Sequence, residues 1–142
     1  MKDTVVLSRP ADLLPLLNGY SKKRQEVFGI ICVDSGNQVI RKKMLFVGGD
    51  SKCQVSSRVV FWEACRASAA GVILFHNHPT GSTLPSELDI ALTKELKKGF
   101  DFLGIQLLDH MIVGRFDYYS FLEHDMMPEV TGDKEQEVAS DA

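Results

Sequence analysis

The chain has 142 residues, 44% apolar and 25% charged, with a formal net charge of −3. That is the size of one domain and the mix of an ordinary globular protein, able to bury a core without staples, so wholesale disorder, collagen and coiled coil are excluded. The longest apolar runs, 27–33 and 69–75, are too short to span a bilayer, and Met1-Lys2-Asp3-Thr4 does not open a secretory signal. Cys32, Cys53 and Cys65 are odd in number and lack CxxC spacing. They argue against a disulfide framework and for a reducing, cytoplasmic setting.

Taken in chain order, Asp12-Leu13-Leu14-Pro15-Leu16-Leu17 predicts a short helical piece capped from Ser8 or Asp12. Arg24 to Val33, with its continuously apolar run Val27–Val33, predicts a central strand covered on both faces, and Asp34-Ser35-Gly36-Asn37 turns it into a partner strand over Gln38–Val47. Ser56-Ser57 reads as a cap for a helix over Arg58–Ala69, with Phe61, Ala64, Cys65 and Ser68 on its inner face and Gly71 ending it. Val72-Ile73-Leu74-Phe75 is a buried strand. Pro85-Ser86 opens a second helix with Leu88, Leu92 and Leu96 in one row, Gly104 closes it, and strands follow over Ile105–Val113 and Tyr118–Leu122. An early hairpin followed by helix-linked strands predicts a layered α/β domain with a mixed sheet over residues 1–124.

Charge divides the chain differently. Residues 125–142 hold six acids (Asp125, Glu129, Asp133, Glu135, Glu137, Asp141) against one base, Lys134, a balance of −5 that leaves +2 for residues 1–124. The end of the chain therefore reads as a disordered acidic tail, and the body lacks the basic field of a protein held by phosphates, so nucleic-acid affinity is expected to be weak or absent.

The chemistry concentrates in Phe75-His76-Asn77-His78-Pro79, followed by Ser86-Glu87-Leu88-Asp89. If the strand continues, His76 and His78 project from one face, about 7 Å apart at Cα, and Pro79 then breaks the strand so that its end opens into a cleft. Asp89 falls in the first turn of the following helix, where the helix dipole favours a carboxylate. Two imidazoles and a carboxylate supply three N/O ligands and leave a fourth position for water, the form of a catalytic zinc site. Each half alone is weak: His-x-His is common at strand ends, and Ser86-x-x-Asp89 by itself is a capping box.

His-x-His-Pro, six residues, Ser, two residues and Asp is the pattern of the JAB/MPN metalloprotease domain, the JAMM motif. The wording Ala70-Gly71-Val72-Ile73-Leu74-Phe75-His76-Asn77-His78-Pro79-Thr80-Gly81, with Leu107-Leu108-Asp109-His110-Met111-Ile112-Val113 later, resembles the bacterial RadC branch from about Asp12 to Phe121. The resemblance implies a JAB/MPN-like fold (cytidine-deaminase-like, layered, with a mixed curved sheet and flanking helices) and zinc ligation by His76, His78 and Asp89. It also implies a zinc-dependent peptidase or isopeptidase acting on a protein substrate. Glu26 would then be the general base, and Ser86 would steady the oxyanion or orient the water.

Other readings stand beside these. Glu26 could be a solvent-facing charge at a strand edge, and Ser86 a helix cap. The Asp109-His110 pair, inside an apolar strand, suggests a structural role or support for the ligands from behind. Trp62, Glu63 and Cys65 read as packing and surface, and Cys32 and Cys53 as unactivated thiols. Full-length RadC proteins carry a helix-hairpin-helix region before the catalytic part, and about 24 residues before the matching strand are too few for it. An accessory or interaction module linked to DNA repair, with a metal but no peptidase turnover, is the alternative function, and a pseudo-enzyme with a structural metal a third.

Overall fold

The computed structural model describes residues 5–22, 24–48 and 55–129. Five strands form one sheet: β1 (Val27–Val33), β2 (Val39–Val47), β3 (Gly71–Asn77), β4 (Gln106–Val113) and β5 (Tyr118–Ser120). Their order is β2-β1-β3-β4-β5, with β3 and β4 parallel and the other neighbours antiparallel. The wholly apolar runs β1 and β3 lie side by side in the middle, where both faces are covered, and every residue of each is buried. Lys- and Arg-bearing β2 takes one edge. At the hairpin turn Asp34 Oδ1 accepts from the amides of Gly36 and Gln38, both at 2.9 Å, and Asn37 takes a left-handed φ of 60°.

Three helices accompany the sheet: α1 (Leu14–Leu17, flanked by 3-10 turns at Pro10–Leu13 and Asn18–Lys22), α2 (Ser57–Arg66) and α3 (Glu87–Leu103). The Asp12 carboxylate reaches back to the amides of Ser8 (2.8 Å) and Arg9 (3.0 Å) and so caps the first turn. These amide donors hold the Asp12 carboxyl below its ordinary pKa. The alternation of β1 and β3 sorts the core into two halves. Phe28, Ile30, Cys32, Val72 and Leu74 meet α2 and α3 on one face, while Ile31, Val33, Ile73 and Phe75 meet Leu13 and Leu17 on the other.

Both long helices differ in detail from their expected faces. Helix α2 stops at Arg66, and Ser68, with φ 54°, makes the left-handed turn assigned to Gly71, which instead opens β3. The buried residues of α2 are Val60, Glu63 and Ala64, Phe61 packs against the same core as expected, and Cys65 and Ser68 are exposed. The buried charge is paired: Glu63 meets Arg41 of β2 at 3.2 Å and Arg66 at 3.7 Å.

On α3 the expected Leu row holds in part: Leu96 is fully buried and Leu92 packs on the core, but Leu88 is 58% exposed, and the buried row is Asp89, Thr93, Leu96 and Phe100. The helix ends at Gly104, whose φ of 74° is open to glycine without a Cβ penalty. Of the expected acidic tail, residues 130–142 lie outside the described residues. Residues 125–129 are described: the Met126 amide donates to Phe121 O at 2.7 Å and Met127 packs on the α2/α3 side of the core. Cys53 also lies outside the described residues. Among the described residues no helix is long and apolar enough to cross a membrane.

Candidate metal centre

On the α2/α3 side, neighbouring elements change from apolar to polar at the same end of the sheet. Leu74 gives way to His76 on β3, Phe28 to Glu26 just before β1, and Leu96 to Thr93 and Asp89 on α3, while His110 of β4 stands beside Leu74 in register. The end in question is the carboxyl end of the parallel pair β3–β4, where open α/β sheets form clefts. The same register that packs the core therefore assembles the polar cluster.

One ligand atom from each of Glu26, His76, His78 and Asp89 lies within 4.8 Å of all the others. The two imidazoles meet through their Nε2 atoms at 2.9 Å. Asp89 offers Oδ1 to His76 Nε2 at 3.2 Å and Oδ2 to His78 Nε2 at 3.0 Å. His76 is buried, Asp89 is 9% exposed, and His78 and Glu26 are half-buried, so the cluster keeps partial access to solvent. Four residues singled out from the sequence thus converge on one point. Ser86, exposed at the rim, is the N-cap of α3: its Oγ accepts from the Asp89 amide (3.1 Å), and its own amide donates to Asp89 Oδ2 (2.8 Å). Its capping role is therefore visible directly, and it fixes the carboxylate's orientation.

Each member is gripped from behind. His78 Nδ1 donates to the Ser82 carbonyl at 3.0 Å, which leaves Nε2 as the ring's lone-pair nitrogen when the ring is neutral. His76 Nδ1 meets His110 Nε2 at 2.8 Å, and His110 Nδ1 meets Thr93 Oγ1 at 2.6 Å. Asn77, buried between the two histidines, turns to the other face of β3. There its Oδ1 accepts from the Val27 amide at 2.6 Å, and its Nδ2 donates to the carbonyls of Tyr20 (3.0 Å) and Gln25 (3.1 Å). Glu26 is therefore pinned through the backbone on both sides of it.

The electrostatics follow from these contacts. The hydrogen bond with Asp89 raises the pKa of His78 against the opposing effect of burial. Burial by itself would raise the Asp89 carboxyl, but hydrogen bonds from His76 and His78 hold it well below the usual carboxylate range. Burial, reinforced by the nearby His76, pushes the His110 ring well below the ordinary histidine value, so it stays neutral. The Nε2 atoms of His76 and His78 thus converge on one carboxylate, giving two imidazoles and an acid as a donor set. The residues fit a divalent metal with N/O preference.

Other candidates fall outside the cluster. Asp109 and His110, adjacent in β4, divide their work. Asp109 binds Ser120 Oγ (2.6 Å) and the amides of His110 (2.7 Å) and Leu122 (2.9 Å), tying β4 to the segment after β5. Trp62 is exposed under the Arg66 guanidinium, 4.7 Å from its ring centre. Cys32 is a free, fully buried thiol whose pKa burial pushes to about 11. Sequence reasoning missed Asn77 and Thr93. The signal for Thr93 was its place four residues after Asp89 on the same helical face.

A family profile for the RadC-like JAB domain matches residues 7–126. Among curated relatives, a UPF0758 protein of Clostridium perfringens is 42% identical over 124 residues, covering 87% of this chain and 55% of the relative. A UPF0758 protein of Streptococcus uberis is 42% identical over 108 residues (76% of this chain, 48% of the relative), and one of Actinobacillus pleuropneumoniae is 42% identical over 101 residues (71% and 46%). The chain spans about half the length of the curated relatives it matches. With a family match over nearly the whole described body, and with the mixed α/β sheet and four-residue cluster above, this chain belongs to the RadC-like JAB domain family.

Proposed function

We propose that this domain is a zinc-dependent metallohydrolase that cleaves an amide bond, in a peptide or an isopeptide-linked protein. The observation that carries the reading is the convergence of Glu26, His76, His78 and Asp89 within 4.8 Å, with the outer nitrogen of each imidazole already engaged elsewhere. His76, His78 and Asp89 would hold the zinc. When bound, the ion supplies Lewis-acid polarisation of the scissile carbonyl and acidifies water. Glu26, anchored by the Asn77 clamp yet half open to the cleft, takes the proton from the attacking water and returns it to the leaving amine nitrogen. Ser86 keeps a hydroxyl hydrogen to donate to a developing oxyanion, because its bond to the Asp89 amide uses an oxygen lone pair. The modest charge of the body favours a protein substrate over a nucleic acid.

The test pairs metal analysis of the purified chain with cleavage of peptide and isopeptide libraries. The wild type should carry about one zinc, and His78→Ala should lose it because one of three protein ligands is gone. Glu26→Gln should keep the zinc and lose turnover by about 10²–10⁴-fold, since glutamine cannot accept the proton. Undiminished zinc in His78→Ala, or an unchanged rate in Glu26→Gln, would overturn the assignment.

A further inference from the structure

We propose that Thr93 and His110 form a one-way hydrogen-bond relay that makes His76 Nδ1 the donor to His110 and so leaves Nε2 as the His76 atom available to a metal among Glu26, His78 and Asp89. The relay rests on hydrogen-bond polarity among buried groups. Its consequence for zinc rests on the function proposed above.

The chain of contacts begins on the main chain of one cluster member and ends on the ring of another. Thr93 Oγ1 lies 2.7 Å from the Asp89 carbonyl oxygen and 2.6 Å from His110 Nδ1. A carbonyl can only accept, so the single hydroxyl hydrogen of Thr93 goes to Asp89 O, the familiar back-bond of a helical threonine to the residue four positions earlier. Oγ1 must then accept from His110 Nδ1–H. That leaves His110 Nε2 as an acceptor, and the hydrogen shared over the 2.8 Å contact with His76 Nδ1 belongs to His76. The reverse polarity would set the Thr93 and Asp89 oxygens 2.7 Å apart with no hydrogen between them.

Among the described residues, no other hydrogen bond reaches Thr93 Oγ1 or the His110 ring nitrogens. Thr93 and His110 are fully buried, and the His110 ring is stacked on Phe121 with centroids 4.7 Å apart and lies edge-on to Phe28 at 5.9 Å. His78 needs no such device, because its Nδ1 faces the Ser82 carbonyl, which accepts and never donates. His76 faces another imidazole, which could do either. Thr93 is the residue that decides between the two, and it is a positioning residue, remote from any substrate.

Long-range proton–nitrogen correlation spectra of ¹⁵N-labelled protein at about pH 8.5, well above the ordinary histidine pKa, read the tautomers directly. With zinc bound, wild-type His76 and His110 should both carry the proton on Nδ1. Thr93→Val fills the same space without the hydroxyl, so His110 should lose its single-tautomer signature. Zinc affinity, measured by competition with a chromophoric chelator, should fall about 10–100-fold. Thr93→Ser should restore both. A proton on His110 Nε2 in the wild type, or a Thr93→Val protein with wild-type spectrum and affinity, would sink the relay. If the wild type shows the His110 Nδ1–H signature yet takes up no zinc, the relay stands and the proposed function falls.

Discussion

Replacing Asn77 tests whether the grip on Glu26 is energetic as well as geometric. Asn77→Ala removes at once a buried hydrogen bond from the Val27 amide and part-buried ones to the Tyr20 and Gln25 carbonyls. Each such bond contributes about 0.5–1.5 kcal/mol net, and partners left buried and unmet add to the loss, so about 3 kcal/mol of stability should go. For a chain of this length that corresponds to a fall in unfolding temperature of roughly 10 °C. Urea unfolding followed by circular dichroism measures it. Asn77→Asp sharpens the test: it fills the same volume and keeps an acceptor for Val27, but it turns a carboxylate oxygen toward two carbonyls. It should therefore be no more stable than Asn77→Ala. A clamp of no energetic weight would leave Asn77→Ala within about 0.5 kcal/mol of wild type, the range of an ordinary surface change, and the reasoning would be refuted. Full stability in Asn77→Asp would show that volume, not donor placement, is what matters.

A Cβ at Gly99, in the C-terminal part of α3, would clash with the Phe61 ring of α2. Gly99→Ala should thus destabilise by about 1–3 kcal/mol despite a gain of about 1 kcal/mol in helix propensity, and Phe61→Leu in the same chain should recover part of the loss in urea titrations. With its thiol pushed to about 11 and fully buried, Cys32 should resist iodoacetamide in the folded protein near neutral pH. Exposed Cys65 should react, and peptide mapping of the labelled protein distinguishes them.

How far the site was legible depended on the distance along the chain between its parts. His76, His78 and Asp89 belong to one unbroken stretch whose punctuation (apolar strand, Pro79, Ser86 cap) dictates the strand–loop–helix corner that joins them. Glu26 joins them only because β1 pairs with β3 so that Phe28 stands opposite His76, and no local pattern near Glu26 declares that pairing. It was reached through resemblance. The inner face of α3 was legible at Leu92 and Leu96 but not in its first turns, for a physical reason: leucines are better evidence of burial than Asp or Thr, yet Leu88 is outside and Asp89 and Thr93 are inside because each has hydrogen-bond partners there. The mixed sheet followed from the hairpin and the helix crossover. The strand order did not, because which edge β4 would join is decided by long-range packing.

The β1–β3 ladder runs from Phe28↔His76 to Val33↔Gly71 without interruption, whereas the β1–β2 ladder shifts register between Phe28 and Gly29 and again between Cys32 and Val33. That contrast ranks the places where the chain tolerates insertions and deletions. An extra residue in β2 or in the 34–37 turn is absorbed by an edge already kinked, and the cluster never feels it. One residue added or removed within 27–33 would displace Glu26 by about 3.4 Å and flip it to the α1 side of the sheet, away from both histidines. Length variation in this domain should therefore collect on the hairpin and stop abruptly at β1, so that a catalogue of tolerated indels would trace the outline of the site without reference to any side chain.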